Sequence, residues 1–321
     1  IMDQPQNPAM PAPAPFAFEG SKDPGRALRI GFLSPDLYDH SCAYFLRPIL
    51  QNLDKQKFET VCYSTTAKSD WMTGQLQQAS ALWRDVANLP ENALLDLMRA
   101  DNLDILVELS GHTASGPLAA LRHRVAPVQA TYLGYPNTTG LPTIDYRIVD
   151  ATTDTAGADE FHTEKLIRLG GCFLCYSPAE FAPDPGSPPS LGAGNLNAAA
   201  ASDFASWLAP TTTLPVTFGT FNSIRKFSPG AIRAWSGVLN AVPGSRLLIK
   251  TRGMDTAIAR NTILRQFASH GIDASRLGVA DMVPSKSDHL AWYQQVDIAL
   301  DTFPYNGTAT TCEALWMGVP V

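Results

Sequence analysis

Apolar and amphipathic segments alternate along this chain in two blocks, separated by a stretch unsuited to packed structure. In the first block RALRIGFLS (26–34), FETVCYST (58–65), LDILVEL (103–109), PVQATYLG (127–134) and DYRIVD (145–150) read as strands. Between them CAYFLRPILQNL (42–53) and NALLDLMRA (92–100) have helical spacing. This rhythm predicts a mainly parallel sheet covered by helices. Residues 177–213 are rich in Pro, Ala, Gly and Ser and read as an irregular linker. The rhythm restarts with VTFGTFN (216–222), SRLLIK (245–250), LGVADMV (277–283) and VDIALDT (296–302) as strands. Helices are expected over 228–242, capped by Ser228 with Pro229 at its first position, from Met254 to about His270, over 289–295 and over 310–318. The expected fold is α/β, with two facing Rossmann-like domains at 28–176 and 214–321. Ligands would lie at the carboxyl ends of the strands, in a cleft between the domains.

Charge and cysteine content narrow the function classes. The formal net charge is −6, which argues against a nucleic-acid backbone binder. No apolar run reaches the roughly 18 residues of a membrane span, and no leader-like segment opens the chain, so a cytoplasmic protein is expected. Five cysteines, Cys42, Cys62, Cys172, Cys175 and Cys312, mostly within apolar runs, fit reduced core thiols. Cys172 and Cys175 form a C-x-x-C, but GCFLCYS reads as a strand and no second pair lies near it, as a zinc site would need. Residues 1–27 are proline-rich and read as an interdomain linker. Both ends read as cut, with the last domain incomplete at Val321.

Several post-strand loops carry candidate chemistry. In LDTFPYNGTATTCEALWMGVP (300–320) a strand runs through Asn306-Gly307 into a helix starting within Thr308, Ala309, Thr310 and Thr311. Free amides, the helix dipole and threonine hydroxyls suit an anion there, although an ordinary capped turn has the same composition. FNSIRKFSP (221–229) sets Arg225 and Lys226 just after a strand, where a cation would face a diphosphate or simply be solvated. SPDLYDHSCAYFL (34–46) places His40 ahead of an apolar helix, as a proton handler or as a capping histidine. ELSGHTASG (108–116), with His112 and Thr113, and the tight loop of TYLGYPNTTGLPTIDYRIVD (131–150) also follow strands of the first block. The sequence has no Asp-x-Asp, no G-x-x-x-x-G-K-[ST], no G-x-G-x-x-G after a strand and no G-x-S-x-G. A departing diphosphate would therefore need protein donors to take up its charge.

At these residues the chain resembles the O-GlcNAc transferase and SPINDLY family of protein O-glycosyltransferases, from about residue 28 to the end. RIGFLSPD, DILVELSGHT, APVQATYLGYPNTTGLPTIDYRIVD, TFGTFNSIRK and LDTFPYNGTATTCEALWMGVP carry the resemblance, in the family's order. It implies a GT-B type fold with an upstream tetratricopeptide superhelix, and inverting, metal-independent transfer of a sugar to Ser or Thr of a protein acceptor. The resemblance makes His40 the active-site histidine and Lys226 the lysine on the donor diphosphate. It puts Lys286 and His289 at the nucleotide, Thr310 at the diphosphate, and Gly134 and Pro136 beside the sugar. The O-GlcNAc transferases have His-Thr-Thr where this chain has Thr308-Ala309-Thr310, and GYPNTTGLPTIDYR, FLCYSP and LDTFPYNGT are closer to SPINDLY. Lys286 leans towards UDP. The donor implied first is UDP-GlcNAc, with GDP-fucose as the alternative. A non-catalytic nucleotide-sugar or protein-binding module would keep the 306–311 turn but need neither Lys226 nor His40.

Overall fold

A computed structural model describes residues 17, 20–21, 23–113, 116–184, 215–283 and 285–321. Most of the expected 1–27 and 177–213 linkers lies outside the described residues. The chain divides into two compact units, Ile1–Ser177 and Pro178–Val321, each built on its own parallel sheet.

The first unit runs β1 (Leu28–Ser34), α1 (Ser41–Asn52), β2 (Phe58–Ser64), α2 (Trp71–Ala79), β3 (Leu82–Asp85), α3 (Glu91–Ala100), β4 (Ile105–Glu108), β5 (Val128–Tyr132), β6 (Tyr146–Asp150) and β7 (Lys165–Leu169). Its seven parallel strands are ordered β3-β2-β1-β4-β5-β6-β7. β1 and β2 pair in register from Leu28 opposite Phe58 to Ser34 opposite Ser64. The sheet needs apolar residues on both faces because helices cover it. Leu33, Val61, Tyr63 and Leu106 accordingly pack with Leu94, Leu95 and Met98 of α3 in one buried cluster. The order reverses between β1 and β4, so the loops after these strands flank the switch point where such sheets hold ligands.

The second unit runs β8 (Thr217–Thr220), α4 (Pro229–Ala241), β9 (Arg246–Lys250), α5 (Ala257–Ala268), β10 (Leu277–Ala280), α6 (Lys286–Ala291), β11 (Ile298–Ala299) and α7 (Ala309–Trp316). Its strands are ordered β10-β9-β8-β11, and the switch point falls between β8 and β11. Ser228 caps α4 by accepting from the Ala231 amide at 3.0 Å, with Pro229 at the first position, as expected. Trp235 and Leu239 of α4 pack on Phe218, Leu247, Ile249 and Phe267.

Several elements differ from expectation. The strand over 296–302 shrinks to two residues. Asp297 continues the contact beyond it, its amide donating to the Thr217 carbonyl and its carboxylate accepting from the Thr217 amide, both at 2.8 Å. The helix over 289–295 is α6 followed by a 3-10 turn, Trp292–Gln295, because Ser285 starts it early by capping at the Asp288 amide. α5 starts at Ala257, where Thr256 caps it, rather than at Met254. GCFLCYS is not a strand: the Phe173 amide donates to Asp150 and its carbonyl accepts from the Tyr132 hydroxyl, so no ladder forms. Cys172 and Cys175 are consequently exposed, whereas Cys42 and Cys62 are buried. Among the described residues no helix is long and apolar enough to cross a membrane.

Candidate functional site

Polar side chains meet at the carboxyl edge of the second sheet, where β8 and β11 deliver them. Asn222, two residues past β8, donates through Nδ2 to Asp301 Oδ1 at 3.2 Å. The same oxygen accepts from the amides of Thr302 at 2.8 Å and Gly307 at 2.6 Å, drawing residues 301–307 into a closed turn. Asn222 Oδ1 accepts from Thr310 Oγ1 at 3.0 Å, so the first turn of α7 is tied to β8 as well. Gly307 has no open space beside its backbone. A Cβ there would lie 2.5 Å from Thr310 Oγ1, 2.8 Å from Asp301 Oδ1 and 2.9 Å from Asn222 Oδ1. Glycine is needed at this position because protein atoms fill the space beside it.

α7 begins at Ala309, and Thr308 makes no side-chain cap hydrogen bond. The first-turn amides of Ala309, Thr310 and Thr311 are thus not closed off by a cap, and they carry the positive end of the helix dipole. Lys226 ends a 3-10 turn, Ile224–Lys226, just after β8. Its Nζ donates to the Asn306 carbonyl at 2.8 Å and stands 4.2 Å over the Tyr305 ring. Burial pulls the ammonium below the usual lysine value, against the opposing pull of Asp301. Lys226 and the 306–311 turn, far apart in sequence, form one cationic edge.

Lys286 and His289 turn onto a buried carboxylate. Glu313, 3% exposed in the second turn of α7, pairs with Lys286 Nζ through Oε1. Its Oε2 accepts from His289 Nε2 at 3.0 Å and from the Tyr293 hydroxyl at 3.3 Å. Burial pushes Glu313 up, but the hydrogen bond from His289 and the charge of Lys286 outweigh it and hold the carboxyl below the usual glutamate value. On the other side of the ring, Lys250 Nζ lies 2.5 Å from His289 Nδ1. Lys250, at the end of β9, is 0% exposed, and burial lowers its ammonium to about 7. Burial likewise lowers His289, with Glu313 opposing. Asn222, Lys250, Tyr293, Asp301 and Glu313 were not anticipated. One signal was available for Lys250, which follows the apolar run Leu247–Ile249 in a sheet covered on both faces.

In the first unit His40 is the N-cap of α1, its Nδ1 accepting from the Cys42 amide at 3.3 Å. The same nitrogen lies 3.7 Å from Asp36 Oδ2. As a cap acceptor the neutral ring keeps its proton on Nε2, and only a ring paired to Asp36 through Nδ1–H would leave Nε2 free as a base. Asp36, His40 and Cys42 bring three ligand-type atoms within 4.8 Å of one another. Burial, with Asp36 and Glu108 adding, pushes the Cys42 thiol up to about 12.

The loop after β5 is rigidly held. A Cβ on Gly134 would fall 1.9 Å from the Leu109 carbonyl oxygen, so that backbone approach admits only glycine. Arg147 donates to the carbonyls of Tyr135 at 2.9 Å and Asn137 at 2.8 Å, on either side of the exposed Pro136. Glu164 accepts from the Thr139 amide and from Thr138 Oγ1, each at 2.7 Å. His112 is exposed, with Nε2 2.9 Å from the Thr139 carbonyl and its ring edge-on to Tyr135 at 5.2 Å. The Thr113 amide turns back to the Ser110 carbonyl at 3.1 Å. His112 and Thr113 thus adjoin the Gly134–Pro136 loop, and His40 follows β1 on the same sheet edge.

Two parallel α/β sheets, each with polar residues gathered at its switch point, define the GT-B class of glycosyltransferase folds. The structure matches a lysine-to-methionine mutant of the Thermobaculum terrenum O-GlcNAc transferase with a TM-score of 0.82 at 36% identity, over 97% of this chain and 55% of that one. Residues 10–179 and 209–321 match the model of glycosyl transferase family 41, and the chain belongs to that family. SPINDLY of Solanum lycopersicum, described as a probable UDP-N-acetylglucosamine–peptide N-acetylglucosaminyltransferase, is 39% identical over 95% of this chain. SPINDLY of Arabidopsis thaliana, described in the same way, is 38% identical over 95%. The chain spans about a third of the length of these curated relatives, 31% and 32%.

Proposed function

We propose that the protein transfers a sugar, with inversion and without a metal, from a nucleotide diphosphate donor to a Ser or Thr hydroxyl of a protein. UDP-GlcNAc is the first donor and GDP-fucose the second reading. The observation that carries this is the meeting of Lys226 with the turn that leads into the uncapped start of α7. In the reaction the acceptor oxygen bonds to the anomeric carbon from the face opposite the leaving diphosphate. The bond to the diphosphate oxygen breaks, and the hydroxyl proton passes to a base. Negative charge grows on that oxygen only as the bond breaks, so a fixed ammonium and fixed amides favour the transition state over the bound donor. On this reading the second unit holds the diphosphate through Lys226, Thr310, Thr311 and the adjoining amides. The first unit supplies His40, with His112, Thr113, Gly134 and Pro136 beside the acceptor or sugar.

UDP-GlcNAc is favoured by the description of the SPINDLY relatives and by Lys286, which matches a lysine of the O-GlcNAc transferases. GDP-fucose is favoured by Thr308-Ala309, which lacks the imidazole of the O-GlcNAc transferases. The test is release of UDP or GDP from a panel of nucleotide sugars in EDTA, with and without a Ser/Thr peptide. Peptide-dependent UDP release supports the first reading and GDP release the second. Strict dependence on added metal would overturn the leaving-group argument.

A further inference from the structure

Lys250 is the most unusual group that this mechanism leaves unused. It is fully buried at the end of β9, among the rings of Phe221 at 5.3 Å and Trp292 at 5.7 Å. Its Nζ meets His289 Nδ1, the opposite ring nitrogen meets Glu313, and the Tyr293 hydroxyl can donate its one proton either to Glu313 Oε2 at 3.3 Å or to the Thr310 carbonyl at 3.1 Å. A continuous chain of hydrogen bonds therefore runs from β9 through His289 to Glu313 on α7. The ring can bridge the two ends in one neutral form only. If Nδ1 accepts from Lys250, Nε2 carries the proton and donates to the carboxylate.

We propose that Lys250 is a positioning residue for the donor site: by donating to Nδ1 it holds His289 as the Nε2–H tautomer, which anchors Glu313 and with it the start of α7. The effect on the nucleotide rests on the reading that α7 and Lys226 hold the diphosphate. The effect on the ring and the helix does not.

The charge of Lys250 also bears on the site. Burial lowers its ammonium to about 7, with Lys286 adding to the shift and Glu313 and Asp281 opposing it. Besides these three, it faces His289 and, through Glu313, the Tyr293 hydroxyl. Near neutrality the amine therefore changes charge close to the helix start. Both charge states can still donate to Nδ1, so loss of the proton weakens attraction for an anion without releasing the tautomer.

The experiment uses Lys250→Met, which removes the donor, and Lys250→Gln, whose amide can still donate but never carries charge. Histidine side-chain ¹⁵N spectra and amide exchange over 309–313 are read first, on the unliganded protein. The wild type is expected to show His289 as the Nε2–H form. Lys250→Met should lose that form and exchange α7 faster, while Lys250→Gln should keep both properties. Dissociation constants for UDP-GlcNAc and GDP-fucose, whose diphosphates do not titrate near neutrality, are then measured from pH 6 to 8. Wild-type affinity should fall as pH rises through about 7. Lys250→Met should weaken binding about tenfold, as expected for one hydrogen bond. Neither variant should keep the inflection. If Lys250→Met does not fold, the wild-type spectra and the lost inflection in Lys250→Gln decide alone. An Nδ1–H ring in the wild type, or Lys250→Met that melts lower but keeps the tautomer and α7 exchange, would overturn the proposal. A protein that binds neither nucleotide sugar would overturn the donor reading, while the unliganded measurements would still decide the role of Lys250.

Discussion

Asn222 and Asp301, the polar residues just past two neighbouring strands, are bonded side chain to side chain at 3.2 Å. Each also reaches onward, Asp301 to the amides of Thr302 and Gly307 and Asn222 to the hydroxyl of Thr310. This pair, rather than the loop's own composition, sets the shape of the turn from 301 to the start of α7.

Gly307→Ala should therefore damage the site directly. The added methyl meets three polar atoms within 2.9 Å, two of them on Asp301 and Asn222. Overpacking of this kind costs about 1–3 kcal/mol. Urea unfolding should show a loss of that size, and nucleotide affinity should fall with it. An unaltered unfolding midpoint would mean the turn shifts freely.

Lys226→Ala should lower turnover by roughly 10²–10³-fold, the usual effect of removing one donor to a developing oxyanion, while weakening donor binding far less. Steady-state kinetics with independent nucleotide titration separates the two. Equal losses in affinity and in kcat/KM, with turnover intact at saturation, would make Lys226 a binding residue only.

His40 caps α1, and the proposed mechanism gives it a second task at the acceptor; the two can be separated. His40→Ala should leave nucleotide affinity unchanged, lower transfer, and cost α1 about 1 kcal/mol through its lost cap. His40→Asn restores a capping side chain without a base, so it should recover stability but not transfer. Full activity in His40→Asn would remove the histidine from the chemistry. If the ring acts as a base through Nε2, Asp36→Asn should also slow transfer, by on the order of tenfold or more.

The stability of the protein should carry the signature of Lys250. Its folded value, about 7, lies below its ordinary value of 10.5, so between these pH values the unfolded chain binds the extra proton. Stability contributed at this site therefore rises with pH across that window. Relative to Lys250→Met, the wild type should gain on the order of 2 kcal/mol between pH 7 and 9 in chemical denaturation. A constant difference between the two proteins would show that Lys250 does not titrate there.

What the sequence disclosed follows from where periodicity is strong. LDILVEL and SRLLIK each hold an uninterrupted apolar triplet, Ile105–Val107 and Leu247–Ile249, and read as strands. LWRD of β3, KLIRL of β7 and the α2 helix are short and mixed, with partners supplied by the rest of the sheet, and went unread. VDIALDT suggested a long strand because apolarity does not say how many residues find a ladder. Lys226 and the 306–311 turn were legible because a basic residue and a Gly-Thr turn after strands carry their own chemistry. Glu313 was not, since nothing local distinguishes its buried charge from a solvated one, and Lys250 offered only its place at the end of a covered strand. The capping role of His40 stood among the sequence readings; its 3.7 Å approach to Asp36 did not.

β11 contributes only two ladder residues, opposite Phe218 and Gly219. From Asp301 to α7, much of the cohesion comes from a carboxylate, an amide side chain and a lysine. Loop segments outside a ladder open at lower free energy than the strands behind them, even when side chains tether them as Asn222, Lys226, Ser228 and Trp235 do here. An anion gripped by Lys226 and the helix amides would close the same segment from outside, so occupancy and cohesion would rise together. On that account the empty and filled proteins differ less in shape than in how long residues 300–311 stay shut.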